Sequence, residues 1–222
     1  MNFLSFQRKS LNVLYRLRNK NKDFTLISQN CVGGVIYNLL GLPFQSPTIN
    51  LFIEGDNFAK LVENLEYYMS IPAKPLVDNY IDPQNPSIHY PKILCGDIEI
   101  CALHYRDCED AVTAWERRRA RVNLNNVFVI GNSWNSHENS KLVQRILQCG
   151  YPSVAFCYDD WGYDKCIQLD KELWQLDERG IVRPDITARM NNSSIMYFER
   201  MFDFVGWLNG ANTADISKWK LE

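Results

Sequence analysis

The stretch from Asn126 to Tyr158 restricts the fold most. "NVFVIGN" is a short run of strand-forming apolar residues, "HENSKLVQRILQCG" has the length and period of a helix, and "PSVAFCY" is a second apolar run. Strand, helix and strand at that spacing make a βαβ unit, and its strands run parallel because the helix returns the chain to its starting edge. Parallel sheets are covered on both faces. The expected class is α/β, a three-layer αβα sandwich.

Other segments fit around this unit. "FTLIS" reads as a strand, Asn30 as a helix N-cap, and "CVGGVIYNLLG" as a helix closed by Gly41. "DNFAKLVENLEYYM" spaces Phe58, Leu61, Val62, Leu65 and Tyr68 by threes and fours, which predicts one amphipathic helix. Residues 70–91 hold Pro72, Pro75, Pro83, Pro86 and Pro91 and read as a long irregular connection. "KILCGDIEICALHY" reads as a hairpin turning at Gly96-Asp97, so the sheet is expected to be mixed but mostly parallel. "CEDAVTAWERRRARV" and "SSIMYFERMFDFVGWL" are expected to be helical, the latter with Ile195, Phe198, Phe202 and Val205 on one face. With no internal repeat and no linker-like stretch, residues 1–222 are expected to form a single domain.

Charge and cysteine usage exclude several function classes. A formal net charge of -2 predicts no bulk attraction to nucleic acid or to an anionic membrane, so any phosphate site must be local. The first 22 residues carry Arg8, Lys9, Arg16, Arg18, Lys20 and Lys22 and lack the apolar core of a secretory signal. No window approaches the roughly 18 apolar residues of a span, so no membrane insertion and a cytoplasmic location are expected. Seven cysteines in such a protein should be reduced thiols, and three histidines without paired-ligand spacing give no metal site. Neither G-x-G-x-x-G nor a P-loop occurs, so the cofactor stays unassigned; a homo-oligomer stays open.

Ligands of open α/β sheets bind beyond the carboxyl ends of the strands. Those ends carry Asn30 and Cys31, then His104 and Tyr105, then Asn132, Ser133 and Trp134, then Asp159, Asp160 and Trp161. Turns favour Asn, Asp and Ser in any protein, which accounts for Ser133 and Asp159 as readily as function does. Cys31 differs. In the first turn of a helix its thiol faces the positive end of the dipole, which would lower its pKa. Cys95, Cys101, Cys108, Cys149, Cys157 and Cys166 lack such a context and read as structural. Gly33 and Gly34 cost helix stability, so they serve either a close ligand or close packing. Arg118 and Arg119 flank the Trp115 face of their helix and need a carboxylate or an anion, whereas Arg117 and Arg121 lie on the far side.

The blocks "SQNCVGGVIYNLLGL", "SPTINLFI", "DIEICALHY", "WERRRARVN" and "NVFVI" resemble a bacterial family of unknown function. Its members are often labelled exopolysaccharide or capsule biosynthesis proteins. The resemblance runs from Ser28 to the Asp159 region and singles out Asn30, Cys31, Gly33, Gly34, Tyr37, Ser46, Pro47, His104, Tyr105, Trp115, Arg117, Arg118, Arg121 and Asn123. The same start is loosely similar to papain-like cysteine peptidases, in which a Cys opens a helix and a later His takes its proton. Cys31 and His104 follow that order.

These readings together suggest a protein of surface-polysaccharide synthesis, a transferase or hydrolase acting on an activated sugar or a glycan-linked acyl group. Cys31 would be the nucleophile and His104 the base. Asn30, Gly33, Gly34, Arg118, Asn132, Trp134, Asp159 and Asp160 would bind the substrate. Two alternatives need no reactive thiol: a glycan or sugar-nucleotide binder using Trp134, Trp161 and Asp159 or Asp160, and a glycosyltransferase. "YDDWGYD" lacks the D-x-D spacing expected of a metal-dependent one.

Overall fold

The computed structural model describes residues 3–83, 85–133, 140–159, 161–169, 185–190 and 193–211. Among these the elements are α1 (Phe3–Arg18), β1 (Thr25–Ser28), α2 (Val32–Leu40), α3 (Gly55–Glu63), α4 (Leu65–Ser70), β2 (Ala73–Ile81), β3 (His89–Cys95) and β4 (Ile98–Cys101). There follow α5 (Cys108–Arg119), β5 (Val127–Asn132), α6 (Ser140–Leu147), β6 (Ser153–Cys157), β7 (Cys166–Gln168), α7 (Tyr197–Met201) and α8 (Phe204–Leu208).

The class is α/β. Strands β1, β5, β6 and β7 form a parallel sheet in that order, and the expected βαβ unit is β5-α6-β6. Every residue of β1, β5 and β6 is buried, as covering on both faces requires. Leu26, Phe128, Ile130, Val154 and Phe156 pack with Ile36 of α2, Phe198 of α7 and Trp207 of α8. On the opposite face Ile27, Val127 and Val129 pack with Phe58 and Leu61 of α3 and Ile146 of α6.

The hairpin exists, with Gly96 at φ 61°, but it does not extend the parallel sheet. Strands β2, β3 and β4 form a separate antiparallel sheet, so the expected mixed sheet is divided into two. The physical reason is Phe52, whose backbone bridges to the edge of β4 at Cys101. Phe52 exchanges two hydrogen bonds of 2.8 Å with Cys101, while the neighbouring Ile53 N–H donates to Gln29 C=O at 3.1 Å, just past β1. A bridge of two residues thus joins the sheets.

Strand β2 corrects the expectation of an irregular connection over 70–91. It is a mostly exposed edge strand, and its pairing with β3 shifts register between Pro75 and Val77 and between Val77 and Tyr80. A proline is tolerated where no inner ladder needs its missing N–H. Two expected helices are also broken. Asn64, at φ -131° and ψ 41°, separates α3 from α4. The C-terminal helix divides into α7 and α8, because the Asp203 carboxylate accepts from Gly206 N at 3.1 Å and pairs with Arg18 at 2.7 Å. Helix α1, which no sequence pattern announced, docks through Arg8. Its guanidinium donates to both Glu199 oxygens at 2.6 and 2.8 Å and to Ser194 C=O at 2.9 Å.

Candidate active site

Cys31 is the N-cap of α2, directly before its first residue, Val32. Asn30, expected as the cap, works from one position earlier: its Oδ1 accepts from Val32 N at 3.0 Å, and its C=O accepts from Ser28 Oγ at 2.7 Å. One of the first-turn donors is thereby satisfied. The N–H groups of Gly33 and Gly34 have no acceptor among the described residues. Both glycines are buried, and the packing reading of them holds. A Cβ on Gly33 would overlap Ser28 Oγ, and one on Gly34 would stand 3.1 Å from Asn50 Oδ1 and 3.2 Å from Ile49 Cγ2.

His104 does not follow a strand of the parallel sheet, as expected, but one of the antiparallel sheet. After β4, Ala102 N donates to Pro91 C=O at 2.9 Å and Tyr105 N to Ala102 C=O at 3.0 Å, which turns the chain tightly around His104. Tyr105 anchors that turn by donating its hydroxyl to Ile49 C=O at 2.9 Å. The result is Cys31 Sγ 3.3 Å from His104 Nε2, with Cys31 half-buried and His104 exposed. The turn after each sheet's strand supplies one member of the pair, and the Phe52–Ile53 bridge ties the two strands together just before those turns.

The thiol is not the acidic one that a helix N-terminus would favour. Burial pushes the Cys31 pKa up, and the Asp185 carboxylate adds to the shift. Cys31 is therefore held toward the thiol form, with its S–H within donating distance of His104 Nε2. No carboxylate or amide accepts from His104 Nδ1 among the described residues.

Arg118 is buried, with 7% exposure, and its Nη1 donates to Ile49 C=O at 3.0 Å and to the Tyr105 hydroxyl. Its guanidinium also lies 5.3 Å from the centre of the Phe44 ring. It has no carboxylate partner among the described residues. The acidic partner expected for Arg118 or Arg119 belongs to Arg119, which pairs with Glu116. Arg117 and Arg121 are exposed, as their helix positions predict.

A family profile described as "Domain of unknown function (DUF1919)" matches residues 2–209. The chain belongs to the DUF1919 family. An "Uncharacterized protein" of Haemophilus influenzae, strain Rd, is 26% identical over 206 residues, covering 92% of this chain and 93% of the relative. The DUF1919 match spans α1, the Cys31 and His104 turns, and the 185–199 segment alike.

Other expected site residues of the DUF1919 chain are placed less directly. Asn132 and Asp159 share the carboxyl edge of the parallel sheet with Cys31, as the parallel pairings require. Asn132 is buried and its N–H donates to Gln29 Oε1 at 3.0 Å, while Ser133 Oγ accepts from Tyr158 N at 3.1 Å. Asp159 is half-buried. Trp134 and Asp160 lie outside the described residues.

Two residues that sequence reasoning passed over shape the candidate site. Gln29 is buried, and it ties β5 through its side chain and Ile53 through its C=O, directly before Asn30 and Cys31. Its position inside the "SQNC" block was the available signal. Asp185, which raises the Cys31 pKa, comes from a segment where no periodicity or motif pointed toward α2.

Proposed function

We propose that this DUF1919 protein is a cysteine-dependent transferase or hydrolase, with Cys31 as nucleophile and His104 as general base. The 3.3 Å approach of Cys31 Sγ to His104 Nε2 carries the reading, because it is the distance at which a thiol proton can pass to imidazole as sulfur attacks. An acyl carbon is the electrophile this arrangement suits. As the S–C bond forms, the carbonyl π pair moves onto oxygen, and the unoccupied N–H groups of Gly33 and Gly34 at the helix start are donors of the kind that stabilise such an oxyanion. When that pair returns to re-form the carbonyl, the bond from carbon to the leaving group breaks, His104 gives its proton to the departing atom, and a thioester on Cys31 remains. Water or a second hydroxyl, deprotonated by the same imidazole, attacks the thioester and releases Cys31.

The substrate class, a glycan-linked acyl group or an activated sugar of surface-polysaccharide synthesis, comes from the resemblance of the "SQNC" and "LHY" blocks. Arg118 is the group we assign to an anionic part of that substrate, supported by its burial without a carboxylate partner. Asn132 and Asp159, at the same sheet edge, are assigned to its polar groups.

Incubation of the native chain with p-nitrophenyl acetate, followed by peptide mass spectrometry, tests the reading. Acetylation should fall on Cys31 and slow in His104→Ala. Acetylation spread over the cysteines, or unchanged in His104→Ala, would favour a binding protein with an inert thiol.

A further inference from the structure

Helix α1 has two apolar faces. The inner one sets Leu11 and Tyr15 against the core, beside the buried Arg8. The outer one consists of Phe3, Phe6, Val13, Leu14 and Leu17, exposed by 70, 62, 52, 50 and 78%. Placed on a helix, these five fall within an arc of about 100°, interrupted by Ser10 alone. Scattered exposed apolar residues need no explanation, but a stripe of them along one helix marks an interaction surface.

The rim of this stripe identifies the partner. Lys9 and Arg16 border it on one side and Arg18 on the other, with Lys20 and Lys22 following the helix. Residues 1–22 hold six basic and no acidic residues, in a chain whose net charge is -2. Arg8 and Arg18 are paired internally with Glu199 and Asp203. Lys9, Arg16, Lys20 and Lys22 are exposed, and Arg16 Nε also donates to Leu39 C=O at 3.1 Å and Lys22 Nζ to Arg16 C=O at 3.0 Å. A second copy docked through the same stripe would bring two basic rims together. An anionic lipid surface complements both the stripe and the rim.

We propose that α1 lies in the headgroup plane of an anionic membrane. Its five outer apolar side chains enter the acyl boundary, and Lys9, Arg16, Lys20 and Lys22 face lipid phosphates. The net charge gave no reason to expect this, because the basic residues are concentrated in one segment. It is docking rather than crossing: no helix among the described residues is long and apolar enough to span a membrane.

The test is cosedimentation of the full chain with vesicles of phosphatidylcholine plus phosphatidylglycerol, and with vesicles of phosphatidylcholine alone. Binding should require the anionic lipid and weaken with added salt. Phe6→Ser/Leu17→Ser and Lys9→Glu/Lys20→Glu should each lower the bound fraction about tenfold or more, with thermal unfolding checked to show that the variants remain folded. The proposal is overturned by a wild-type chain that stays in the supernatant, by equal binding to neutral vesicles, or by folded variants that bind as well as wild type. A concentration-dependent dimer that is lost in Phe6→Ser/Leu17→Ser, without vesicle binding, would instead assign the stripe to a second copy.

Discussion

Ser28 and Gly33 face each other so closely that a Cβ on Gly33 would overlap the Ser28 hydroxyl. That hydroxyl is buried and committed to Asn30 C=O, so it cannot turn aside without loosening the strand just before Cys31. Gly33→Ala is expected to cost about 1–3 kcal/mol, as overpacking of a filled core does. Ser28→Ala in the same chain should restore part of the loss, since the Ser28 Cβ would still stand 3.0 Å from the new methyl group. Urea unfolding of the two single variants and the double variant measures this. A Gly33→Ala chain as stable as wild type would show that the glycine is not kept for packing.

The elevated Cys31 pKa makes a prediction about pH. Burial and, after it, the charge of Asp185 favour the protonated thiol, so alkylation by iodoacetamide should be slow at neutral pH and climb as pH rises toward and beyond the ordinary thiol range. Asp185→Asn removes the charge and retains an acceptor for Thr187 N, so it should shift the rate profile to lower pH. His104→Ala should slow the reaction near neutrality. A profile already flat and fast at pH 7 would mean that a thiolate is preformed and that the helix N-terminus outweighs burial.

The carboxyl edge of the parallel sheet was legible in the sequence because short apolar runs and a βαβ spacing are local signals. Cys31 and His104 could each be singled out for the same reason. Their partnership across two sheets was less accessible, since it depends on which backbone claims the edge of β4. The Phe52–Cys101 bridge has no periodicity to announce it. Strand β2 was hidden by Pro75, which removes a donor but does no harm on an exposed edge. The broken C-terminal helix was hidden by Asp203, whose preference for capping Gly206 and pairing with Arg18 is a tertiary fact.

Arg118 should reveal an anion when one is supplied. A buried guanidinium whose hydrogen-bond partners among the described residues are a carbonyl and a tyrosine hydroxyl, with no carboxylate, gains from a bound anion, and any ligand that binds only the folded state raises its stability by mass action. Inorganic phosphate should therefore raise the thermal midpoint of the wild-type chain more than sodium chloride of equal ionic strength does, and Arg118→Met should remove the difference. If both chains respond alike, the guanidinium serves only to pin Ile49 and Tyr105.

The Arg8–Glu199 pair gives the sharpest stability prediction, because both groups are almost fully buried and joined by two hydrogen bonds. Glu199 has a second duty: its Oε2 accepts from Met196 N at 2.7 Å and so closes the start of α7. Glu199→Gln keeps that acceptor but leaves a buried cation beside Tyr15, whereas Arg8→Met leaves a buried carboxylate. Each single change should cost about 3–5 kcal/mol, the usual penalty for an uncompensated buried charge. Arg8→Met/Glu199→Gln leaves no charge in the site, so its loss should be smaller than that of either single variant rather than their sum. Urea midpoints at constant slope report all three values. Additive losses would mean that α1 is held mainly by its apolar inner face, with the ion pair contributing little beyond orientation.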